Sequence, residues 1–532
     1  MKLKEKNTMS APVVDFQTTS HDTLSRNIHQ AARQSKDGHL TPEALLLALK
    51  RAGLEADDPR IAKTVKTLRG LPSDGVLEDS QVQTIIAPEN ATLIARGLSG
   101  DLVIPTFEAF EGRITDMYRE VSADRSGEVA SYIPQLARVD PELFAVAVCT
   151  VDGQQFSIGD DSVPFCVQSV CKPTNYAIAL NAMGRDAVHQ HVGREPSGLG
   201  FNELTLNQNG LPHNPMINAG AIACASLIEP DRSNADRFDH VMQVWRALCG
   251  NTKAGFDNTV FLSEKETADR NFALAYMMRE QGAFPPDTDI LQTLDLYFQT
   301  CSITVDVKQL AVLAATYANA GLCPLTSTQV FESEVVKDAL SLMASCGMYD
   351  FSGEYAFSVG IPAKSGVSGG MFLVVPGVCG IALYSPRLDP LGNPVRGVAF
   401  SKRLVETYAF HTYANMLDDH TLIDPRRPLV ERKANEVTYL CSAAARGDNG
   451  EIRRLVASGI DPSTADYDGR TALHLAASEG QERTVRYLLS LCADIAPKDR
   501  WGHSPLDDAK REGRDEIVRI LEEAYASQEG AA

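Results

Sequence analysis

The sequence has no CxxC pair among its eleven cysteines, and too few basic residues to balance its acids. It also lacks an uninterrupted apolar stretch of bilayer-spanning length. Scattered cysteines, odd in number, argue against a disulfide framework or zinc ribbon and for free thiols in a reducing cytoplasm. With 50 Lys and Arg against 69 Asp and Glu, the net charge of −19 repels phosphate backbones. Nucleic acid is therefore not an expected partner. The longest apolar run, Met371 to Tyr384, is broken by Pro376 and Gly377, so no membrane partner is expected either. No signal-length apolar run follows the basic opening Met1–Lys6, and Asp15, His21 and Asp22 come early for an acid-poor transit peptide. The expected setting is cytoplasmic, in a bacterium for choice, with a mitochondrial one second.

What is present is ordinary for folded protein: 44% hydrophobic and 22% charged residues across 532 positions. That length exceeds one core and divides into several units. Residues 1–20 are expected to be a disordered N-terminus. Residues 21–118 read as an all-α, EF-hand-like domain, with Thr41 and Pro42 opening one helix. Its turns Asp37-Gly38-His39-Leu40 and Asp74-Gly75-Val76-Leu77 resemble the middle of calcium loops. The ends of those loops, Arg33 and Ala44 in one, Gly70 and Gln81 in the other, cannot supply the oxygen ligands. No metal is expected there. Residues 416–435 read as a linker and 436–527 as repeats. Thr438, Thr471 and Ser504 recur every 33 residues, as do Gly447, Gly480 and Gly513, and Asp468-Gly-Arg-Thr-Ala-Leu-His474 carries the ankyrin pattern. Such units bury their apolar faces only by stacking, and they commonly contact a protein partner.

Between these flanks, residues 119–415 read as α/β. Phe144–Cys149 and Gln155–Ile158 are expected strands around the Asp152-Gly153 turn. Met371–Val375, Gly380–Tyr384 and Val395–Phe400 are expected to be three more. Two strands, a helical stretch and three strands imply one antiparallel sheet closed by both ends of the domain. That arrangement resembles the serine β-lactamases and penicillin-binding proteins.

Three segments carry chemistry. Ser169-Val170-Cys171-Lys172 is Ser-x-x-Lys, whose helical spacing puts amine and hydroxyl on one face. A buried lysine loses proton affinity and can act as a base near neutrality. Lys364-Ser365-Gly366-Val367 precedes a strand pair, as the Lys-Thr/Ser-Gly edge strand does in the penicillin-binding family, where its backbone can serve an oxyanion. The third, Pro212 to Ala221, places Asn218 before a packed helix, either to hold a polar substrate group or to cap that helix.

The blocks Tyr132-Ile-Pro-Gln-Leu-Ala137, Glu195-Pro-Ser-Gly-Leu199, His213-Asn-Pro-Met-Ile-Asn-Ala-Gly220, Asp269-Arg-Asn-Phe-Ala273 and Cys346-Gly-Met-Tyr-Asp-Phe-Ser-Gly353 resemble the glutaminases. With the two flanks, the resemblance extends to the long kidney/liver-type members. It implies hydrolysis of L-glutamine to L-glutamate and ammonia, with no cofactor. Ser169 would be the nucleophile, Lys172 its base and Tyr349 a proton relay with Tyr132 nearby. The backbone of Ser169 and Val367 would hold the oxyanion. Asn218, Glu264, Asn271 and Tyr297 would bind the α-amino and α-carboxylate groups, Glu264 supplying the charge an ammonium needs. Gly198, Leu199, Phe201 and Leu204 would belong to the activation loop, here less basic and less aromatic than in the animal enzymes. The resemblance also implies a homo-oligomer, dimer or tetramer, and makes inorganic phosphate a candidate activator. A penicillin-recognising amidase and an ankyrin scaffold with an inactive middle domain are the competing readings.

Overall fold

The computed structural model describes residues 40–86, 88–198, 203–414, 422–426, 429–457, 460–491 and 493–529. It divides into two units, Met1–Ser401 and Lys402–Ala532.

The first unit opens with helices Pro42–Arg51, Ala62–Arg69, Asp79–Ile85, Pro88–Ser99 and Phe107–Ser122. The Thr41 hydroxyl accepts the Ala44 N–H at 3.2 Å, so the expected cap is made. Leu45, Leu49, Val65 and Leu68 recur at helical spacing and form a small core of their own. The Leu77 N–H donates to the Leu40 carbonyl at 2.8 Å, joining the ends of the two turn segments. Arg60 fastens this region to the sheet that follows: its guanidinium donates to the carbonyls of Asp152 at 2.6 Å and Gly153 at 2.7 Å. The buried Asp58 carboxylate holds the same arginine at 2.7 Å.

The strands, in chain order, are β1 (Ala145–Thr150), β2 (Gln155–Gly159), β3 (Phe165–Cys166), β4 (Gly255–Phe256), β5 (Ile303–Val305), β6 (Ala363–Ser365), β7 (Gly370–Val375) and β8 (Cys379–Tyr384). A five-stranded sheet has the order β2-β1-β8-β7-β6, antiparallel throughout. It is therefore closed by both ends of the domain, as the sequence implied. A smaller sheet runs β3-β5-β4.

The expected strand at Val395–Phe400 is not one; it is the first half of the helix Val395–Thr407. Val-Arg-Gly-Val-Ala-Phe is too short for its pattern to separate strand from helix. The longer spacing decides: Phe400, Leu404 and Tyr408, four apart, are all buried. Arg396 is buried too, donating to the Asp124 carbonyl at 2.8 Å and reaching Glu142 at 3.3 Å. The fifth strand is instead β6, which carries Lys364 and Ser365 and pairs with Phe372 and Met371.

The helix Val307–Ala318 lies against β8, β1 and β7, and most of its residues are buried. Gly380 in β8 permits this approach, because a Cβ there would run into the backbone of Ala314 and Ala315. The second unit contains the helix pairs Leu429–Arg446 with Asn449–Ala457, Ala472–Ser478 with Glu482–Ser490, and Pro505–Arg511 with Asp515–Glu529. Leu455, Leu488 and Leu521, one per repeat, share one core.

Gly380→Ala is expected to destabilise the first unit by roughly 1–3 kcal/mol or more, since backbone must move to admit the methyl. Guanidinium unfolding followed by tryptophan fluorescence should show the lower midpoint, and an unchanged midpoint would contradict this packing.

Candidate active site

The Ser-x-x-Lys segment is held between the two sheets. β3 pairs with β5, and the Val167 N–H donates to the Ile303 carbonyl at 2.8 Å. The chain then enters a 3-10 turn, Gln168–Cys171, before the helix Lys172–Met183. Ser169 thus sits in the tighter turn ahead of the helix, where residues three apart stack directly. Gln168 adopts φ 47°, a left-handed backbone unusual outside glycine, immediately before the serine. Gly366 packs against the Val167 carbonyl and Val170, which brings the loop after β6 onto this turn and sets Val367 beside it.

Lys172 is completely buried, and its amine donates to the Asn218 Oδ1 at 2.7 Å. Burial pushes its pKa down to about 8, against the opposing influence of the Cys301 and Cys171 sulfurs. Asn218 is the first residue of the helix Asn218–Ser226, not its cap; Ile217 precedes it with no side-chain bond. Its oxygen also accepts from the Tyr297 hydroxyl at 3.3 Å, and its amide donates to Asn271 Oδ1 at 3.2 Å. Of the two roles the sequence left open, helix capping is not taken; the side chain turns instead to the polar groups of the site. Asn214 shapes the approach: it accepts the Met216 N–H at 2.9 Å and donates to the Glu195 carbonyl at 2.9 Å.

Another part of the site is built around one carboxylate. Glu264, on the helix Asn258–Glu266, is buried and accepts from the Tyr132 hydroxyl at 2.5 Å and the Gln168 amide at 3.0 Å. Burial raises its pKa above the ordinary carboxylate value, and those two hydrogen bonds oppose the rise. Tyr132 is half-exposed, yet its hydroxyl is engaged at this carboxylate. Gln168 was not among the expected site residues. Its place next to the nucleophile was the one available signal, because only the fold turns its side chain toward Glu264.

Tyr349 opens a second 3-10 turn, Tyr349–Phe351, at φ 53°. The Ser352 hydroxyl fixes this backbone, accepting the Met348 N–H at 2.9 Å and donating to the Tyr349 carbonyl at 2.6 Å. Burial raises the Tyr349 phenol above its ordinary value, while hydrogen bonding to Ser169 and to the Val367 backbone acts the other way. The Lys364 amine lies 4.3 Å from the ring centroid and donates to the carbonyls of Gly347 at 2.9 Å and Ser365 at 2.6 Å.

Tyr132, Ser169, Asn218, Glu264, Asn271, Tyr297 and Val367 converge on one cavity of about 320 Å³. Lys172 lies behind Asn218, and Tyr349 reaches Ser169 from the side. All nine expected catalytic and binding residues are thus drawn together. Arg270 and Cys301 line the same cavity and were not expected. Gly198 lines a neighbouring cavity of about 410 Å³ with Tyr349, and Leu204 is exposed; Leu199 and Phe201 lie outside the described residues. In the second unit, Asp499, His503 and Asp508 could approach one cation. Asp508, however, is paired with Arg470 and Arg511, both at 2.7 Å, which already neutralise it. The cavity can therefore accept a zwitterion by its ammonium at Glu264 and present a carbonyl to Ser169.

The glutaminase family profile matches residues 127–413, and three ankyrin copies match 435–529. The mitochondrial liver-isoform glutaminase of Rattus norvegicus is 46% identical over 433 residues, covering 81% of this chain and 72% of that one. Putative glutaminase 2 of Caenorhabditis elegans is 43% identical, covering 89% and 81%. Among solved structures, the probable glutaminase ybaS is 37% identical with a TM-score of 0.53, covering 56% of this chain and 96% of that chain. The native form of Mglu is 31% identical with a TM-score of 0.54, covering 72% and 97%.

Proposed function

The chain belongs to the glutaminase family, and from that premise we propose the part each cavity residue takes in hydrolysing L-glutamine to L-glutamate and ammonia. The observation that carries the assignment is the polarity of the site. One carboxylate, Glu264, lines the cavity with a serine that bonds a phenol, and a buried amine lies behind Asn218 in the same wall.

Glutamine binds with its α-ammonium at Glu264 and its α-carboxylate toward the amides of Asn218 and Asn271 and the Tyr297 hydroxyl. Tyr132 and Gln168 hold Glu264 in place for this. The side-chain amide then lies at Ser169. The serine oxygen attacks the amide carbon as Lys172 takes its proton. A neutral Lys172 donates one N–H to Asn218, leaving its lone pair for the serine. The oxyanion is received by the backbone N–H groups of Ser169 and Val367, worth several kcal/mol in such sites. The carbon–nitrogen bond breaks as the proton passes from Lys172 through Tyr349 to the departing nitrogen. Water then attacks the Ser169 ester, returning a proton by the same route and releasing glutamate.

The domain assignment 1–20, 21–118, 119–415, 416–435 and 436–527 is part of this reading. The Leu40–Leu77 backbone bond supports an EF-hand-like pair in the helical region. Further proposals are a homo-oligomeric enzyme, inorganic phosphate as activator near the Gly198–Leu204 loop, and a protein partner for the ankyrin repeats. The ten described cysteines are all free thiols, which supports a reducing compartment, and the cytoplasm is our assignment.

Ser169→Ala should lose ammonia release from glutamine by at least about 1,000-fold, as removal of a nucleophile does; full activity would exclude Ser169 as nucleophile. Tyr349→Phe should lower kcat far more than it raises KM, and a loss confined to KM would contradict the relay. Because Lys172 must be neutral to act and its pKa is about 8, log kcat/KM should rise with pH and level off above about 8. A profile flat from pH 6 to 9 would exclude it as the base.

A further inference from the structure

Two thiols that the hydrolysis does not use lie behind the catalytic turn. Cys171, between Ser169 and Lys172, is completely buried, and Cys301 ends the helix Ile290–Cys301 that also carries Tyr297. Their sulfurs are 4.0 Å apart and share a hydrogen bond. Cys301 additionally lines the glutamine cavity, so a small solute that enters the cavity comes up against this residue. Behind it, Cys171 also meets the Thr300 hydroxyl at 3.7 Å and the Asn175 amide at 3.8 Å. The two cysteines thus differ in access while sharing a contact. One faces the cavity, and the other waits behind it.

We propose that Cys301 and Cys171 form an oxidation site in the wall of the glutamine cavity, and that hydrogen peroxide closes them into a disulfide that switches hydrolysis off. The Cys301 sulfur attacks one peroxide oxygen as its thiol proton passes to the other. The O–O bond breaks, and the departing oxygen leaves as water once protonated. The Cys171 sulfur then displaces the hydroxyl from the sulfenic Cys301, forming the S–S bond and a second water. Two thiols are oxidised and one peroxide is reduced to two waters. Burial alone would push the Cys171 thiol up. Its hydrogen bonds with Cys301 and Thr300, and the charges of Lys172 and Lys364, instead hold it below the ordinary thiol value. That favours Cys171 as the resolving sulfur.

A disulfide requires the sulfurs to close from 4.0 Å to about 2 Å. Each sulfur is tied to groups that hydrolysis needs. Cys171 shares the short turn with Ser169, and Cys301 lies one helical turn from Tyr297. Drawing the turn and the helix together shifts Ser169 relative to Asn218 and Tyr297. A displacement of about 1 Å at a reacting centre can cost about 100-fold in rate. The Tyr297–Asn218 bond, already 3.3 Å, and the Lys172–Asn218 bond at 2.7 Å would be disturbed first.

The test treats the full-length enzyme with hydrogen peroxide, then assays ammonia release before and after dithiothreitol. The same oxidised sample is digested without reduction for mass spectrometry. The expected result is at least tenfold loss of activity, recovery with dithiothreitol, and a peptide linking Cys171 to Cys301. Saturating glutamine should slow the loss by occupying the cavity. Cys171→Ala, scored against its own untreated activity, should show no loss that dithiothreitol reverses. Inactivation of the wild type without the linked peptide would overturn the proposal. So would a reversible loss in Cys171→Ala equal to that of the wild type. Should the variant fail to fold, the linked peptide in the wild type decides by itself.

Discussion

The 2.7 Å bond from the fully buried Lys172 amine to the Asn218 side-chain oxygen, at the wall of the cavity, is where the requirements of this fold meet. An amine deprived of water gives up its proton more readily, and here burial brings its pKa to about 8. The same burial would be costly were the amine left without a partner. Asn218 supplies that partner without supplying charge. An aspartate in its place would pull the lysine back toward its ammonium form, and the base would be lost at neutral pH. The neutral amide keeps the lysine oriented and still able to accept a proton.

The packing around this pair follows from keeping the amine dry and both groups fixed. The helix Asn218–Ser226 can approach only because Gly220 leaves room for the Asn214 carbonyl. The helix beginning at Lys172 is buried through its first nine residues, so no water path follows its flank. The β6–β7 loop comes down on the other side, where Gly366 admits the Val167 carbonyl. Backbone strain is stored at the two places where chemistry needs a side chain aimed against the local fold. Gln168 at φ 47° precedes the nucleophile, and Tyr349 at φ 53° presents the phenol. Strand pairing stabilises one side of the first, and the Ser352 hydroxyl the other.

Cavity and network divide the labour between recognition and reaction. In the proposed mechanism Glu264, held by Tyr132 and Gln168, is the group that recognises, and Ser169, held by the turn, is the group that reacts. Gln168 belongs to both, since its side chain reaches Glu264 while its backbone sets the serine. Asn218 also belongs to both, bonded to Lys172 on one side and to Asn271 and Tyr297 on the other. In that mechanism such bridging would couple correct seating of the substrate's amino-acid head to the geometry of the base.

Much of this was written locally in the sequence. Ser169 and Lys172 share a motif because three-residue spacing has one outcome in any helical turn, and the ankyrin units announce themselves by a repeat of 33. The β1–β2 and β7–β8 hairpins were equally legible, since short apolar runs and the turns at Asp152-Gly153 and Pro376-Gly377 are short-range signals. Val395–Phe400 misled because six residues of mixed apolar character suit strand and helix alike; its true face appears only with Leu404 and Tyr408 buried at the helical spacing from Phe400. Glu264, Asn271 and Tyr297 took their expected place from the order of family blocks, not from anything their neighbours require. Gln168 at Glu264, Asn218 bonded to Lys172 instead of capping its helix, and Cys301 against Cys171 were decided by tertiary structure alone. Sequence periodicity fixes which face a residue occupies. It takes the packing of distant segments to determine which partner waits on that face, and so whether a buried amine finds a charge, an amide or nothing.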